Sequence, residues 1–242
     1  MSEEYNYDLV IVGGGPAGSS AAFAAAKNGI KVALIEKENT IAETVRTSGV
    51  TWIESIKEFG IPDDCYNPIK NFSFASPNNQ VTISDVVATA AVLDVRKTYR
   101  WLANEAKKIG VDIFVKTNIN EVIKNDENDI VGVSGIGVNG KTSFHAKVII
   151  DATGFTSTIS KAMGFVTQWK RFGVGAEYEA KVENVDSETW WLMVGQEYTP
   201  AGYAWIFPLG NNIVRIGAVS YTHLRAHETR EDIGWRLVLE KK

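Results

Sequence analysis

Residues 8–37 read DLVIVGGGPAGSSAAFAAAKNGIKVALIEK. Tyr7 to Val12 is an apolar, β-branched run, the pattern of a buried parallel strand. Gly13 to Gly18 is a turn. Ser19 to Asn28 is Ala-rich and helical by propensity, and Gly29 ends that helix as glycine does at a C′ position. Lys31 to Ile35 forms a second apolar strand, closed by Glu36. The opening is thus a strand–helix–strand unit, expected to have a parallel sheet and a right-handed crossover.

The turn Gly13-Gly14-Gly15-Pro16-Ala17-Gly18 fits G-x-G-x-x-G. Gly13 serves the tight bend, Gly15 lets a pyrophosphate approach the backbone, and Gly18 lets helix and strand pack closely. The helix that starts there points free N–H groups and its positive dipole end at the phosphates. Glu36 lies 18 residues after Gly18, followed by Lys37, and its carboxylate can accept hydrogen bonds from a ribose diol. The glycine pattern alone is weak. Here it follows a strand, opens a helix and has its acidic partner, which is the context that identifies a dinucleotide site.

The chain has 242 residues, room for one large domain or two small ones. Seven Trp, eight Tyr and ten Phe exclude a disordered chain. One cysteine, Cys65, excludes an intramolecular disulfide framework and a Cys-based zinc site, and no metal is expected. A net charge of −4 argues against nucleic acid as partner. No stretch is apolar enough for a span, and Met1 to Asn6 is acidic and polar, unlike a signal peptide. The expected compartment is the cytoplasm.

Downstream, Val50 to Phe59 reads as a short helix. Phe72–Ala75 and Gln80–Ser84 alternate like paired strands around an Asn78-Asn79 turn. Asp94 is placed to cap a helix running to Ile109, with Tyr99, Leu102 and Ala106 on its face. Strands are expected near 112–115, 119–123, 130–136 and 147–150, and residues 173–219 read mostly as strand. His145 has no partner at motif spacing and reads as structural. Residues 220–242, SYTHLRAHETREDIGWRLVLEKK, break the composition. They resemble translated adapter sequence and are set aside from the fold, with His223 and His227.

Several segments together resemble flavoprotein reductases of the geranylgeranyl reductase family, within the larger group built like aromatic hydroxylases. The resemblance covers about residues 5–219. Residues 8–37 look like the N-terminus of FAD enzymes more than of NAD enzymes. Pro200-Ala201-Gly202-Tyr203-Ala204-Trp205-Ile206-Phe207-Pro208 fits that family's P-x-x-Y-x-W-x-F-P substrate pattern. By strand alternation Tyr203, Trp205 and Phe207 share one face. On pattern alone they read as an aromatic core stripe; the family pattern implies a channel for a flexible hydrocarbon, bounded by Pro208. Arg46-Thr47-Ser48-Gly49 falls where the family carries a basic residue and Cys-Gly beside the flavin. Ser48 replaces that cysteine, which puts in doubt any role that needs a thiol and weakens the case for an archaeal lipid or geranylgeranyl substrate. The helix from Asp94 resembles one whose arginine reaches the flavin, a role carried to Arg96. Ile119 matches a strand residue whose backbone meets the adenine. Asp151-Ala152-Thr153-Gly154 resembles the second flavin fingerprint, with Gly154 its safest carry-over. The family's last Gly-Asp fingerprint does not appear before residue 220.

The resemblance implies an α/β fold: a Rossmann-like FAD-binding domain, residues 1–70 and 94–165, with an inserted, mostly antiparallel substrate sheet, residues 71–93 and 166–219. The active site is expected between them. The implied activity is reduction of carbon–carbon double bonds in an isoprenoid-like lipophilic substrate, with NAD(P)H or an electron-transfer protein as reductant and Tyr203 as candidate proton donor. A lipophilic substrate also implies peripheral membrane contact. Two other readings stand. One is a flavin monooxygenase or halogenase of the same fold, for which Lys70 is the nearest candidate lysine. The other is an inactive or nucleotide-binding fragment.

Overall fold

The computed structural model describes residues 3–165 and 172–221. In chain order the strands and longer helices are β1 (Glu3–Val12), α1 (Pro16–Lys27), β2 (Val32–Ile35), β3 (Val50–Trp52), α2 (Ile53–Phe59), β4 (Tyr66–Ile69), β5 (Asn71–Ala75), β6 (Gln80–Ser84), β7 (Ala90–Leu93) and α3 (Val95–Lys108). Beyond these come β8 (Asp112–Phe114), β9 (Asn118–Lys124), β10 (Ile130–Gly137), β11 (Gly140–Asp151), α4 (Thr158–Ala162), β12 (Gly173–Lys181), β13 (Thr189–Val194), β14 (Gly202–Gly210) and β15 (Ile213–Tyr221).

The described residues divide into two compact units. One holds residues 3–46 and 95–165, the other 47–94 and 172–221. The first crossing comes earlier than the sequence suggests. Residues 47–70, expected with the nucleotide-binding part, cluster with the second unit because β3 and β4 both pair with β7.

The first unit is a six-stranded sheet in the order β8-β2-β1-β11-β10-β9. β8, β2, β1 and β11 run parallel, and β10 and β9 return antiparallel. Alternation along β1 sends Leu9 and Ile11 to one face and Val10 and Val12 to the other. Leu9 and Ile11 join Val32, Leu34, Ala22 of α1 and Ala106 of α3 in one core. Val10 and Val12 join Ala33, Ile35, Ile119, Val133, Phe144 and Ile159 in the other. Both faces are covered, which is why β1 and β2 read as continuous apolar runs. On the second face Tyr5, Phe114 and Phe144 meet with ring centroids 4.9–5.2 Å apart.

The second unit has a six-stranded sheet, β12-β15-β14-β13-β5-β6, antiparallel except where β13 runs parallel to β5, and a three-stranded sheet, β3-β7-β4. Its core gathers Ile69, Phe72, Ala90, Val92, Trp205 and Phe207.

Local readings shift in several places, among them β11, which starts at Gly140 rather than near residue 147. Residues 50–52 are strand, paired with β7, and the helix starts only at Ile53. α3 buries Val95, Thr98, Ala103 and Ala106, so Tyr99 and Leu102 flank the buried face rather than centre it. Ser220 and Tyr221, read as part of the set-aside tail, continue β15 and pair with Val174 and Gly173. His223 and His227 lie outside the described residues. Among the described residues no helix is long and apolar enough to cross a membrane. His145 lies 2.9 Å from the Glu4 carboxylate.

Phe144 is fully buried between two aromatic neighbours. Phe144→Ala is expected to destabilise the first unit by about 3–5 kcal/mol, the cost of such a cavity. Denaturant unfolding monitored by circular dichroism checks this.

Candidate dinucleotide site

The turn between β1 and α1 is made by close backbone approach. Gly13 has φ +114°, and a Cβ there would fall on the Ala152 carbonyl. A Cβ at Gly18 would fall on the Gly13 carbonyl oxygen and come within 3.3 Å of the Ala152 side chain. A Cβ at Gly14 would strike Ile41 and approach the Glu36 side chain to 3.0 Å. Gly15 is different: among the described residues nothing lies within 4 Å of where its Cβ would stand. Three glycines are therefore closed against protein, and the fourth opens onto free space. That is the cradle a diphosphate requires at this position.

α1 begins without competition for its N–H groups. Gly15 is its N-cap and offers no side chain, Pro16 occupies the first turn, and no acidic residue lies there. The first N–H groups of a helix have no partner within it and sit at the positive end of its dipole. Pro16 and Ala17 are exposed and Gly18 is buried, so the turn shows its outer side to a ligand and its inner side to β1.

Glu36 is aimed at this turn. Its Oε2 accepts from the Gly14 N–H at 2.8 Å and its Oε1 from the Glu38 N–H at 2.9 Å. Its backbone is pinned as well: its N–H donates to the Phe114 carbonyl at 2.7 Å, and the Thr117 N–H donates to its carbonyl at 3.0 Å. Each carboxylate oxygen keeps a further lone pair for a ribose hydroxyl. Ile119, just beyond Thr117, is 4% exposed and shares a core with Ile35. Lys37 is exposed.

The loop after Glu36 is strapped down by α3. Arg96 Nε donates to the Ala42 carbonyl at 3.3 Å, and Arg100 Nε to the Ile41 carbonyl at 3.2 Å. Arg96 and Arg100 stand one helical turn apart on one face, so they act as a pair. Arg100 escaped the sequence reading although this spacing could have shown it. Arg46 pairs with Glu38 at 3.5 Å and is largely exposed.

The second fingerprint sits beneath the glycine turn. The Ala152 N–H donates to the Val12 carbonyl at 2.8 Å, which sets Ala152 against Gly13 and Gly18. Asp151 organises the segment from Thr153 to Ser160. Its Oδ1 accepts from the Thr153 hydroxyl at 2.6 Å, and its Oδ2 from the Ser160 N–H and hydroxyl, both at 2.7 Å. Burial raises the Asp151 carboxyl, but the hydrogen bonds from Thr153 and Ser160 outweigh it and hold the group below the ordinary carboxylate range. Gly154 has φ +66°, and its Cβ position is open.

The remaining candidates lie in the second unit. Ser48 and Gly49 precede β3. Tyr203, Trp205 and Phe207 share a face of β14: Tyr203 lies tilted against Trp205 at 5.8 Å, Trp205 stacks on Phe207 at 6.0 Å, and Trp190 stacks on Phe207 at 5.3 Å. Trp205 and Phe207 are 7% and 4% exposed, whereas Tyr203 is half-buried; Pro208 is buried. The indole N–H groups of Trp190 and Trp205 are buried with no hydrogen-bond partner among the described residues. Lys70 is held by Glu188 at 2.6 Å. Sequence reasoning missed Arg215, the largest fully buried side chain among the described residues, although a lone charge within the apolar run IVRIGAV was its signal.

Known proteins resemble this chain in both sequence and fold. Residues 8–194 match the family model described as FAD dependent oxidoreductase, and residues 173–233 match that of the geranylgeranyl reductase catalytic domain. The digeranylgeranylglycerophospholipid reductase of Methanocaldococcus jannaschii is 38% identical over 84% of this chain and 53% of its own length. That of Methanococcus vannielii is 34% identical over 89% of this chain and 56% of its own. The chain thus spans about half the length of the curated relatives it matches. Among solved structures, a geranylgeranyl bacteriochlorophyll reductase-like protein of Thermoplasma acidophilum superposes with TM-score 0.86 at 28% identity, over 97% of this chain and 61% of that one.

Two outcomes separate the closed glycines from the open one. Gly15→Ser supplies an N-cap at α1 and fills the cradle, so stability is expected to hold or rise by a few tenths of a kcal/mol while FAD affinity falls about tenfold or more. Gly18→Ala is expected to lower thermal stability directly. Thermal melts and flavin fluorescence titration read both. Asp151 contributes stability above the unfolded carboxyl pKa of about 3.9, and that contribution is lost as pH falls through its lower folded value. Asp151→Asn is therefore expected to destabilise most at neutral pH and least below pH 3, as urea unfolding across pH checks.

Proposed function

The chain belongs to the FAD dependent oxidoreductase family, and on that premise we propose that it is the cofactor-binding and substrate-sheet portion of a reductase that saturates carbon–carbon double bonds of an isoprenoid-like lipid. The observation that carries the cofactor half is the open Cβ position at Gly15 between three closed glycines, with Glu36 fixed beside it. The substrate half rests on the geranylgeranyl reductase match over β12 to β15 and on the aromatic face of β14.

Bound FAD would supply the hydride for a two-electron reduction of the double bond, with the proton for the neighbouring carbon coming from the protein or solvent. The chain's own groups bind, orient and exclude water. The N–H groups at the start of α1 would hold the diphosphate, and Glu36 would take the ribose hydroxyls. Ile119 offers its backbone to the adenine, and Gly154 offers a backbone free of Cβ. Arg96 and Arg100 hold the loop of residues 38–46 in shape, which places Arg46.

Tyr203 is the proposed proton donor. It stands at the less buried end of the aromatic stripe, and its hydroxyl has no hydrogen-bond partner among the described residues. Trp205 and Phe207, buried behind it, form an apolar floor. NAD(P)H or an electron-transfer protein renews the reduced cofactor, and the lipophilic substrate brings the protein to a membrane surface. The halogenase reading has less support, because Lys70 is engaged by Glu188.

The test is anaerobic. The protein is loaded with FAD, reduced with dithionite and mixed with a geranylgeranyl lipid, and the product is weighed by mass spectrometry. Gain of two hydrogens per reacted double bond supports the proposal. Oxygen-dependent hydroxylation or halide incorporation, with no anaerobic gain, overturns it in favour of the monooxygenase or halogenase. Tyr203→Phe is expected to slow single-turnover reduction about 100-fold, the scale of general acid catalysis, with substrate affinity little changed. A near-normal rate in that variant removes Tyr203 from chemistry.

A further inference from the structure

Arg215 is 1% exposed, on β15, and its guanidinium is spent on three groups of the second unit. Nη1 donates to the Ser48 carbonyl at 2.7 Å and reaches the Leu93 carbonyl at 3.4 Å. Nη2 donates to Glu179 Oε1 at 2.7 Å, and the Glu179 side chain is 46% exposed. Glu179 stands directly across from Arg215 on β12, and Glu177 stands two residues along on the same face.

The positions of the two carbonyls matter. The chain enters the second unit at Thr47 and leaves it at Asp94. Ser48 and Leu93 are thus the residues just inside the two crossings. The crossings are also joined to each other, since the Leu93 N–H donates to the Gly49 carbonyl at 2.8 Å and Val50 pairs with Val92. One cation from a distant strand therefore ties down both. Arginine suits this task. It is charged at all working pH values, and its planar fork can serve several acceptors at once, which a lysine ammonium on a flexible stem does not reproduce.

We propose that Arg215 is a positioning residue: its buried guanidinium fixes the Ser48–Gly49 peptide and Leu93, and so sets the backbone of the turn assigned to the cofactor. The consequence for FAD rests on the proposed function; the clamp itself does not. Burial makes the interaction strong and its loss costly, because a buried cation without its partners is destabilising. The carbonyl oxygens are equally committed, since an unpaired buried acceptor costs free energy.

The experiment compares wild type, Arg215→Lys, Arg215→Met and Glu179→Gln, each as the full chain. Hydrogen exchange without FAD reads the clamp. In Arg215→Lys, amides of Gly49 and Leu93 are expected to exchange at least tenfold faster, while β14 amides and the first unit stay protected. Glu179→Gln keeps an oxygen acceptor for Nη2 and leaves the Ser48 bond in place, so its Gly49 and Leu93 amides are expected to match wild type. FAD titration with flavin absorbance reads the consequence: about tenfold weaker binding and a shifted spectrum in Arg215→Lys. Unchanged exchange at Gly49 and Leu93 in Arg215→Lys overturns the clamp, as does a uniform rise across the unit. If Arg215→Met does not fold, Arg215→Lys and Glu179→Gln decide. Wild-type protein that binds no FAD defeats the proposed function and leaves the clamp to the exchange data.

Discussion

The first unit depends on one constraint: two backbones and a helix must meet where only glycine fits. A Cβ at Gly13 or Gly18 would enter the space of a carbonyl oxygen, so β1, the start of α1 and the Ala152 peptide close on one another. That closure brings the end of β11 beside the end of β1, through the Ala152–Val12 hydrogen bond. It also leaves Gly14 to be covered by Ile41 and held by Glu36. The loop from Glu36 to Arg46 is thus shaped from one side by the turn and from the other by Arg96 and Arg100. Of the four glycines in the turn, only Gly15 has an open Cβ position once these contacts are made.

This explains which parts were legible in sequence. The glycines, the strand beneath them and Glu36 are local and periodic, so β1, α1 and β2 could be read directly. The alternation that puts Tyr203, Trp205 and Phe207 on one face is equally local. Residues 50–52 were harder: a three-residue strand is defined only by its partner β7, some 40 residues away, and a short apolar run carries no period of its own. The early crossing at residue 47 was hidden for the same reason. Ala152 and Arg215 illustrate a second limit. Each matters because of a neighbour distant in sequence, Gly18 for one and Ser48 for the other, and no spacing rule links such pairs.

The two units settle their polar groups differently. In the first, Asp151 is satisfied by donors within nine residues, Thr153 and Ser160, so its carboxylate orders its own segment. In the second, Arg215 reaches across 167 residues to Ser48. A local network survives much rearrangement elsewhere. A long-range one ties the stability of the turn at Ser48 to the integrity of the whole sheet, because β15 must be in register for the guanidinium to arrive.

The aromatic face carries a similar lesson about burial. Trp205 occupies the space above Gly217, where a Cβ would strike its ring, so this indole is fitted into the sheet rather than left free to move. Phe207 stacks between it and Trp190. These rings are core. Tyr203 is not enclosed in the same way: its cross-strand neighbour Val194 is 45% exposed, and Phe74, on the same face across Leu192, is 37% exposed. Accessible apolar surface on this face therefore begins at Tyr203 and runs toward β13 and β5. The stripe is therefore packed at Trp205 and Phe207 and only half-buried at Tyr203, so burial falls along one strand face by the same alternation that aligns the three rings.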